Sequence, residues 1–143
     1  MKIRFIVVLF LSVSVLFSAI PMLKETPFSK VLKEIKAKKP VFLDIGSDSC
    51  FSCQEMGKIL YKVKKDHPNF PIYFINVKKE RFVAYELKVQ MIPTQIILDK
   101  NGKEVFRHIG VLSEEGVETL LKKYIIKEST INKPFQTFNK KIN

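Results

Sequence analysis

The only two cysteines of this 143-residue chain, Cys50 and Cys53, stand two residues apart at the end of "VFLDIGSDSCFSC". "VFLDI", residues 41–45, is an apolar run of strand length, as expected for a strand covered on both faces. From Ser52 onward Met56, Ile59, Leu60 and Val63 recur three and four apart, which predicts an amphipathic helix ending near His67-Pro68. The cysteine pair therefore sits where a buried strand hands over to the first turn of a helix. A fold that accommodates it must present a helix N-terminus at the end of a sheet.

The flanking segments supply the rest of that sheet. Thr26-Pro27 offers an N-cap and a first-turn proline, and Phe28, Val31, Leu32 and Ile35 continue with helical spacing up to Lys39-Pro40. "PIYFINV", residues 71–77, is a second buried-strand run, and residues 79–88 predict a short helix with Phe82, Val83 and Leu87 inward. Two apolar runs then flank Asp99-Lys100-Asn101-Gly102, and Asn-Gly between such runs marks a hairpin. Ser113 caps a last helix whose first turn carries Glu114 and Glu115 and whose apolar stripe is Val117, Leu120, Leu121, Tyr124 and Ile125. The order α-β-α-β-α-β-β-α predicts an α/β fold with a central mixed four-stranded sheet flanked by helices on both faces. Its first two strands should be parallel through a right-handed crossover, its last two antiparallel.

The ends of the chain read differently. Lys2 and Arg4 precede an apolar stretch, Phe5 to Ile20, broken only by three serines, which matches a secretory signal cleaved near Ala19. An uncleaved N-terminal anchor is the competing reading, although sixteen apolar residues fall short of the roughly 20 that a spanning helix needs. Residues 1–19 are thus expected to be an address, 20–127 the domain, and 128–143 a polar tail with isolated Phe135 and Phe138. Such a domain would be periplasmic, where a lone cysteine pair meets oxidising conditions. The net charge of +11 is mostly dispersed lysine, and only Arg4, Arg81 and Arg107 are arginine. Arginine is the usual reader of base edges and phosphate forks, so no nucleic-acid role is expected.

Three chemistries are open to the cysteines. A structural disulfide across two residues closes so short a loop that it stabilises little. A metal site needs three or four ligands where this motif offers two, and the only histidines, His67 and His108, lack regular ligand spacing. A redox couple fits the context, because Cys50 at the helix start meets unpaired backbone N–H groups that stabilise a thiolate. Cys53, one turn further, would lie deeper and attack the mixed disulfide formed by Cys50. Asp44, flanked by Leu43 and Ile45, would be costly to bury without a use.

Residues 40–125 resemble a thioredoxin domain in element order and at four separated positions. "KPVFLDIGSDSCFSC" is similar to the family's strand, loop and active-site stretch, with Asp44 six residues before Cys50. "MIPT" resembles the family's cis-proline loop, its Pro93 following Cys50 by 43 residues, and Gly110 resembles the glycine before the last helix. The resemblance implies a thioredoxin-like thiol–disulfide oxidoreductase acting on protein thiols and disulfides, expected to be a monomer and to need no cofactor. It implies Cys50 as nucleophile, Cys53 as resolving thiol, Asp44 as proton acceptor, and Ile92 and Pro93 as substrate-facing residues; Phe51, between the cysteines, is expected to be an exposed contact residue for the substrate. The short spacing between the cysteines and Pro93 lacks the insertions of DsbA-type oxidases and cytochrome c maturation thioredoxins. The chain is most similar in flavour to the C-terminal domain of DsbD-type reductases. That similarity implies a reductant of exported proteins, recharged by a membrane electron donor of DsbD type. A copper or zinc carrier using the same thiolates is the alternative, and a redox-inert interaction domain a third reading.

The chain also leaves the family's pattern. Ser49 stands where the family places a tryptophan, and Phe51-Ser52 replaces its Gly-Pro. Ser52 is placed to donate to the Cys50 sulfur and favour its thiolate, while Asp48 and Glu55 oppose it. The lysine that often accompanies the buried aspartate is replaced by Phe74, so burial should raise the affinity of Asp44 for a proton.

Overall fold

Continuous apolar runs cannot face water on either side, so the strands that carry them must lie between two layers of helix. The computed structural model, which describes residues 20–126, has that arrangement. Its elements are α1 (Phe28–Lys36), β1 (Val41–Gly46), α2 (Phe51–Asp66), β2 (Ile72–Asn76), α3 (Arg81–Glu86), β3 (Thr94–Leu98), β4 (Glu104–Ile109) and α4 (Glu114–Leu121). A wider π-type turn, Lys122–Ile126, continues α4. The expected leader at 1–19 and polar tail at 128–143 lie outside the described residues.

The sheet order is β2-β1-β3-β4, with β1 parallel to β2 and antiparallel to β3, and β3 antiparallel to β4. Alternation along each strand sends successive side chains to opposite layers. Phe42, Ile72 and Ile97 join Met56, Leu60 and Val63 of α2 and Val117 and Leu121 of α4 on one side. Leu43, Ile45, Ile75 and Ile96 join Val31 of α1 and Val83 of α3 on the other. The same alternation puts Asp44 on the α2 side, beneath the helix that carries the cysteines.

Three expectations are corrected. Thr26 does not cap α1: its N–H bonds Phe74 O at 2.8 Å, which holds it extended against the β2 edge, and Pro27 takes the N-cap position without a side-chain bond. The first helical N–H, of Phe28, is met instead by Glu80 Oε1 at 3.1 Å. Leu32 and Phe82 are exposed rather than inward. Val31 and Val83 take the buried positions beside them, and the Phe82 ring rests edge-on to Phe28 at 6.1 Å.

Residues 22–26 form a strap that the sequence reading missed. Leu23 N–H bonds Gly57 O at 2.8 Å, and Glu25 makes a single parallel bridge to Phe74. The Glu25 carboxylate accepts from Asn76 Nδ2 at 3.0 Å and pairs with Lys79. Gly57 permits the crossing, because a Cβ there would lie 2.9 Å from Met22 Cβ.

Candidate active site

Cys50 and Cys53, with Asp44 beneath them, lie where β1 hands over to α2. Cys50 occupies the N-cap of α2, and its Sγ accepts from Cys53 N–H at 3.3 Å. Ser52 Oγ lies 3.3 Å from the same sulfur. Burial alone would raise the affinity of Cys50 for its proton. The bonds from Cys53 and Ser52, side chain and backbone, outweigh it and bring the thiol below its ordinary range. Cys53 is fully buried. Its thiol is pushed up to about 12, first by burial and then by its hydrogen bond to Cys50. Both are free thiols. One is half-buried and ready to ionise; the other is buried and holds its proton.

Gly46 makes room for this pair. A Cβ at Gly46 would lie 3.2 Å from Cys53 Cβ and 3.3 Å from its Sγ, so β1 passes directly under the second cysteine. The intervening turn is held by Cys50 N–H to Ser47 O at 3.3 Å and by Gln54 Nε2 to Asp48 O at 2.7 Å. Asp48, expected to oppose the thiolate, is instead paired with Lys78 at 3.1 Å.

Asp44 is completely buried two residues before Gly46. Its register neighbours are Phe74 on β2 and Gln95 on β3. Gln95 Nε2 donates to Asp44 Oδ1 at 2.9 Å, while Oδ2 has no partner. Burial raises the carboxyl to about 7, against a smaller opposing effect of the Gln95 bond. Gln95 was not singled out in the sequence. The available signal was a polar residue inside "TQIIL", at the same parity as core residue Ile97.

Pairing of Ile45 with Thr94 and of Thr94 with Ile109 carries the loops before β3 and after β4 to the cysteine end. The Ile92-Pro93 peptide bond is cis, and Pro93 is buried with its carbonyl accepting from Gly110 N–H at 2.9 Å. Gly110 has φ +105°, a conformation that side-chain-bearing residues rarely adopt. Ile92 is half-buried, and Met91, Ile109 and Phe51 are exposed; Phe51 is the most exposed of them at 83%. Exposed apolar side chains thus lie in the loops at this end of the sheet.

Among the described residues, no group of three or more His, Cys, Asp or Glu side chains is arranged to hold a metal ion. His67 caps the far end of α2 and stacks on Phe70 at 4.5 Å. The site can instead make and break a disulfide, since a thiolate attacks and a neighbouring thiol resolves. Ser52→Ala should shift the Cys50 titration upward. Its alkylation by iodoacetamide at neutral pH should slow about fivefold, the worth of one hydrogen bond of about 1 kcal/mol.

Comparison with known proteins agrees with this chemistry. The sequence profile of the thioredoxin-like domain matches residues 28–125. Thioredoxin H-type 1 of Nicotiana tabacum is 31% identical over 90 residues, covering 63% of this chain and 71% of its own. The mitochondrial thioredoxin of Mus musculus is 29% identical over 92 residues, and the match covers 64% of this chain but only 55% of that protein. A thioredoxin structure from Nicotiana alata superimposes with a TM-score of 0.61 at 22% identity, covering 73% of this chain and 91% of its own. Mitochondrial thioredoxin 3 of Saccharomyces cerevisiae does so at 0.58 and 22%, covering 71% and 94%. These structures share the fold, and the sequence matches share the family. With a match over most of its length and a dithiol at the head of α2, the chain belongs to the thioredoxin-like family of thiol–disulfide oxidoreductases.

Proposed function

We propose that the protein is an exported reductant that opens disulfides in other exported proteins. The Cys50 thiolate attacks a substrate disulfide, forming a mixed disulfide and releasing one substrate thiolate. Cys53 gives its proton to Asp44 and attacks Cys50 Sγ, which expels the second substrate thiolate and leaves Cys50 and Cys53 joined. Ile92, Pro93 and Phe51 face the substrate. The observation that carries the reading is the division of the thiols: the accessible one ionises easily, and the buried one sits in the same layer as a carboxyl that titrates near neutrality. Export is supported by the leader-like first nineteen residues. An exported dithiol drifts toward the oxidised state, so a membrane electron donor of DsbD type is needed to recharge it.

A Cys53→Ser protein tests the reading. It should accumulate mixed disulfides with exported proteins that dithiothreitol releases, and a Cys50→Ser/Cys53→Ser protein should accumulate none. If Cys53→Ser traps no partner and its Cys50 alkylates no faster than a free thiol, the catalytic reading is wrong. The reduction potential fixes direction. A value near thioredoxin's about −270 mV supports a reductant, and one near DsbA's about −120 mV supports an oxidant.

A further inference from the structure

Two buried acceptor atoms in the described structure have no donor, and they belong to the same pair of side chains. Asp44 Oδ2 and Gln95 Oε1 are both without a hydrogen-bond partner, while Gln95 Nε2 donates to Asp44 Oδ1 at 2.9 Å. Both residues are completely buried. Orphaned acceptors at such depth are unfavourable, and proteins rarely keep two together. A single proton removes both faults. Placed on Asp44 Oδ2, it supplies the donor that Gln95 Oε1 lacks, and amide and acid then hold each other through two parallel hydrogen bonds.

We propose that Gln95 is a positioning residue for proton transfer, its amide closing a two-bond pair with protonated Asp44. The inference rests on the reading of Asp44 as the acceptor of the Cys53 proton and assigns the group that receives and orients it. When Cys53 gives up its proton, Asp44 passes from carboxylate to acid. Gln95 keeps its N–H on Oδ1 throughout and accepts the new O–H at Oε1, so no atom in the pair is stranded once transfer is complete. Among the described residues, Gln95 is the one side chain with a hydrogen bond to Asp44. Phe74 fills the β2 side, and α4 offers apolar Val117 and Leu121 to this layer. The titratable groups that face the pair are Cys53 on α2, with Cys50 beyond it, and, beyond Gln95, its cross-strand partner His108 on β4.

The test follows Asp44 itself in the reduced protein. It uses carbon-13 NMR of the carboxyl and the infrared C=O stretch of its protonated form across a pH series. Wild-type protein should show a hydrogen-bonded acid with a midpoint near neutrality. In Gln95→Leu the acid loses the acceptor for its O–H as well as the N–H on Oδ1, so the C=O stretch should move to the higher frequency of an unbonded acid. Gln95→Glu, which keeps the acceptor, should instead give two carboxyls sharing one proton and titrating in two separated steps. An unchanged C=O stretch in Gln95→Leu, or a single unshifted step in Gln95→Glu, overturns the proposal. Both readouts are of a resting carboxyl, so they stand even if Cys53→Ser traps no substrate. Loss of catalysis and loss of pairing are therefore distinguishable.

Discussion

Cys50→Ser should abolish disulfide reduction, with turnover on a generic substrate such as insulin falling by at least about a thousandfold. A serine hydroxyl does not ionise in this range and cannot form the mixed disulfide, so the first step has no substitute. The fold should survive intact. Cys50 is the N-cap of α2, where its sulfur accepts from Cys53 N–H at 3.3 Å, and serine is a preferred N-cap with a better acceptor in the same place. Unchanged or slightly raised thermal stability with activity gone is thus the expected combination. The remaining thiol provides the sharper measurement. Cys53 in Cys50→Ser is buried and should alkylate slowly, whereas Cys50 in Cys53→Ser is accessible and should alkylate fast. Equal alkylation rates in the two variants would mean that the two cysteines do not divide the labour as proposed.

How much of this was legible in the sequence depended on whether the cause was local. β1 and β2 were readable because burial on both faces leaves a largely apolar run, broken in β1 by Asp44, and Ser113 was readable because its bond to Gly116 N–H spans three residues. The hairpin was readable because Asp99 Oδ1 accepts from Asn101 and Lys103 N–H within one turn. What escaped depends on register between distant segments. Thr26 looked like a cap, but its N–H is claimed by Phe74, and Glu25 meets Asn76 and Lys79 more than fifty residues away. Phe82 looked inward by spacing, but α3 has six residues and one buried position, which Val83 takes. Gln95 matters only because β3 lies beside β1 in the register that sets it opposite Asp44, and no motif encodes that neighbour. The cysteines announced a site; its supporting polar residue emerged only from the sheet.

Asp44→Asn should make the protein markedly more stable at pH 8 and no more stable at pH 4. The carboxyl is raised in the folded state from an ordinary value near 3.8 to about 7. Below pH 3.8 folded and unfolded chains both carry the proton, and burial of Asp44 has no pH-dependent effect. Between 3.8 and about 7 the folded chain holds more protons than the unfolded one, so stability falls as pH rises. Above about 7 the loss is complete, at about 4 kcal/mol on a scale of about 1.4 kcal/mol per pH unit. Asparagine never ionises, and its amide supplies both a donor and an acceptor to face Gln95, so this penalty disappears. For a domain of this size the melting temperature at pH 8 should rise by about 10–20 °C. Scans of both proteins at pH 4 and pH 8 would check it, and an equal pH dependence in the two would mean that Asp44 is not the group responsible. The gain has a functional counterpart. Without a carboxylate to take the Cys53 proton, resolution of the mixed disulfide at neutral pH should slow by about a hundredfold, as loss of a general base does. A buried acid that weakens the fold in the pH range of its proposed chemistry is what a trade-off between stability and activity predicts. The same substitution should therefore move stability and rate in opposite directions, a pairing that a purely structural aspartate would not produce.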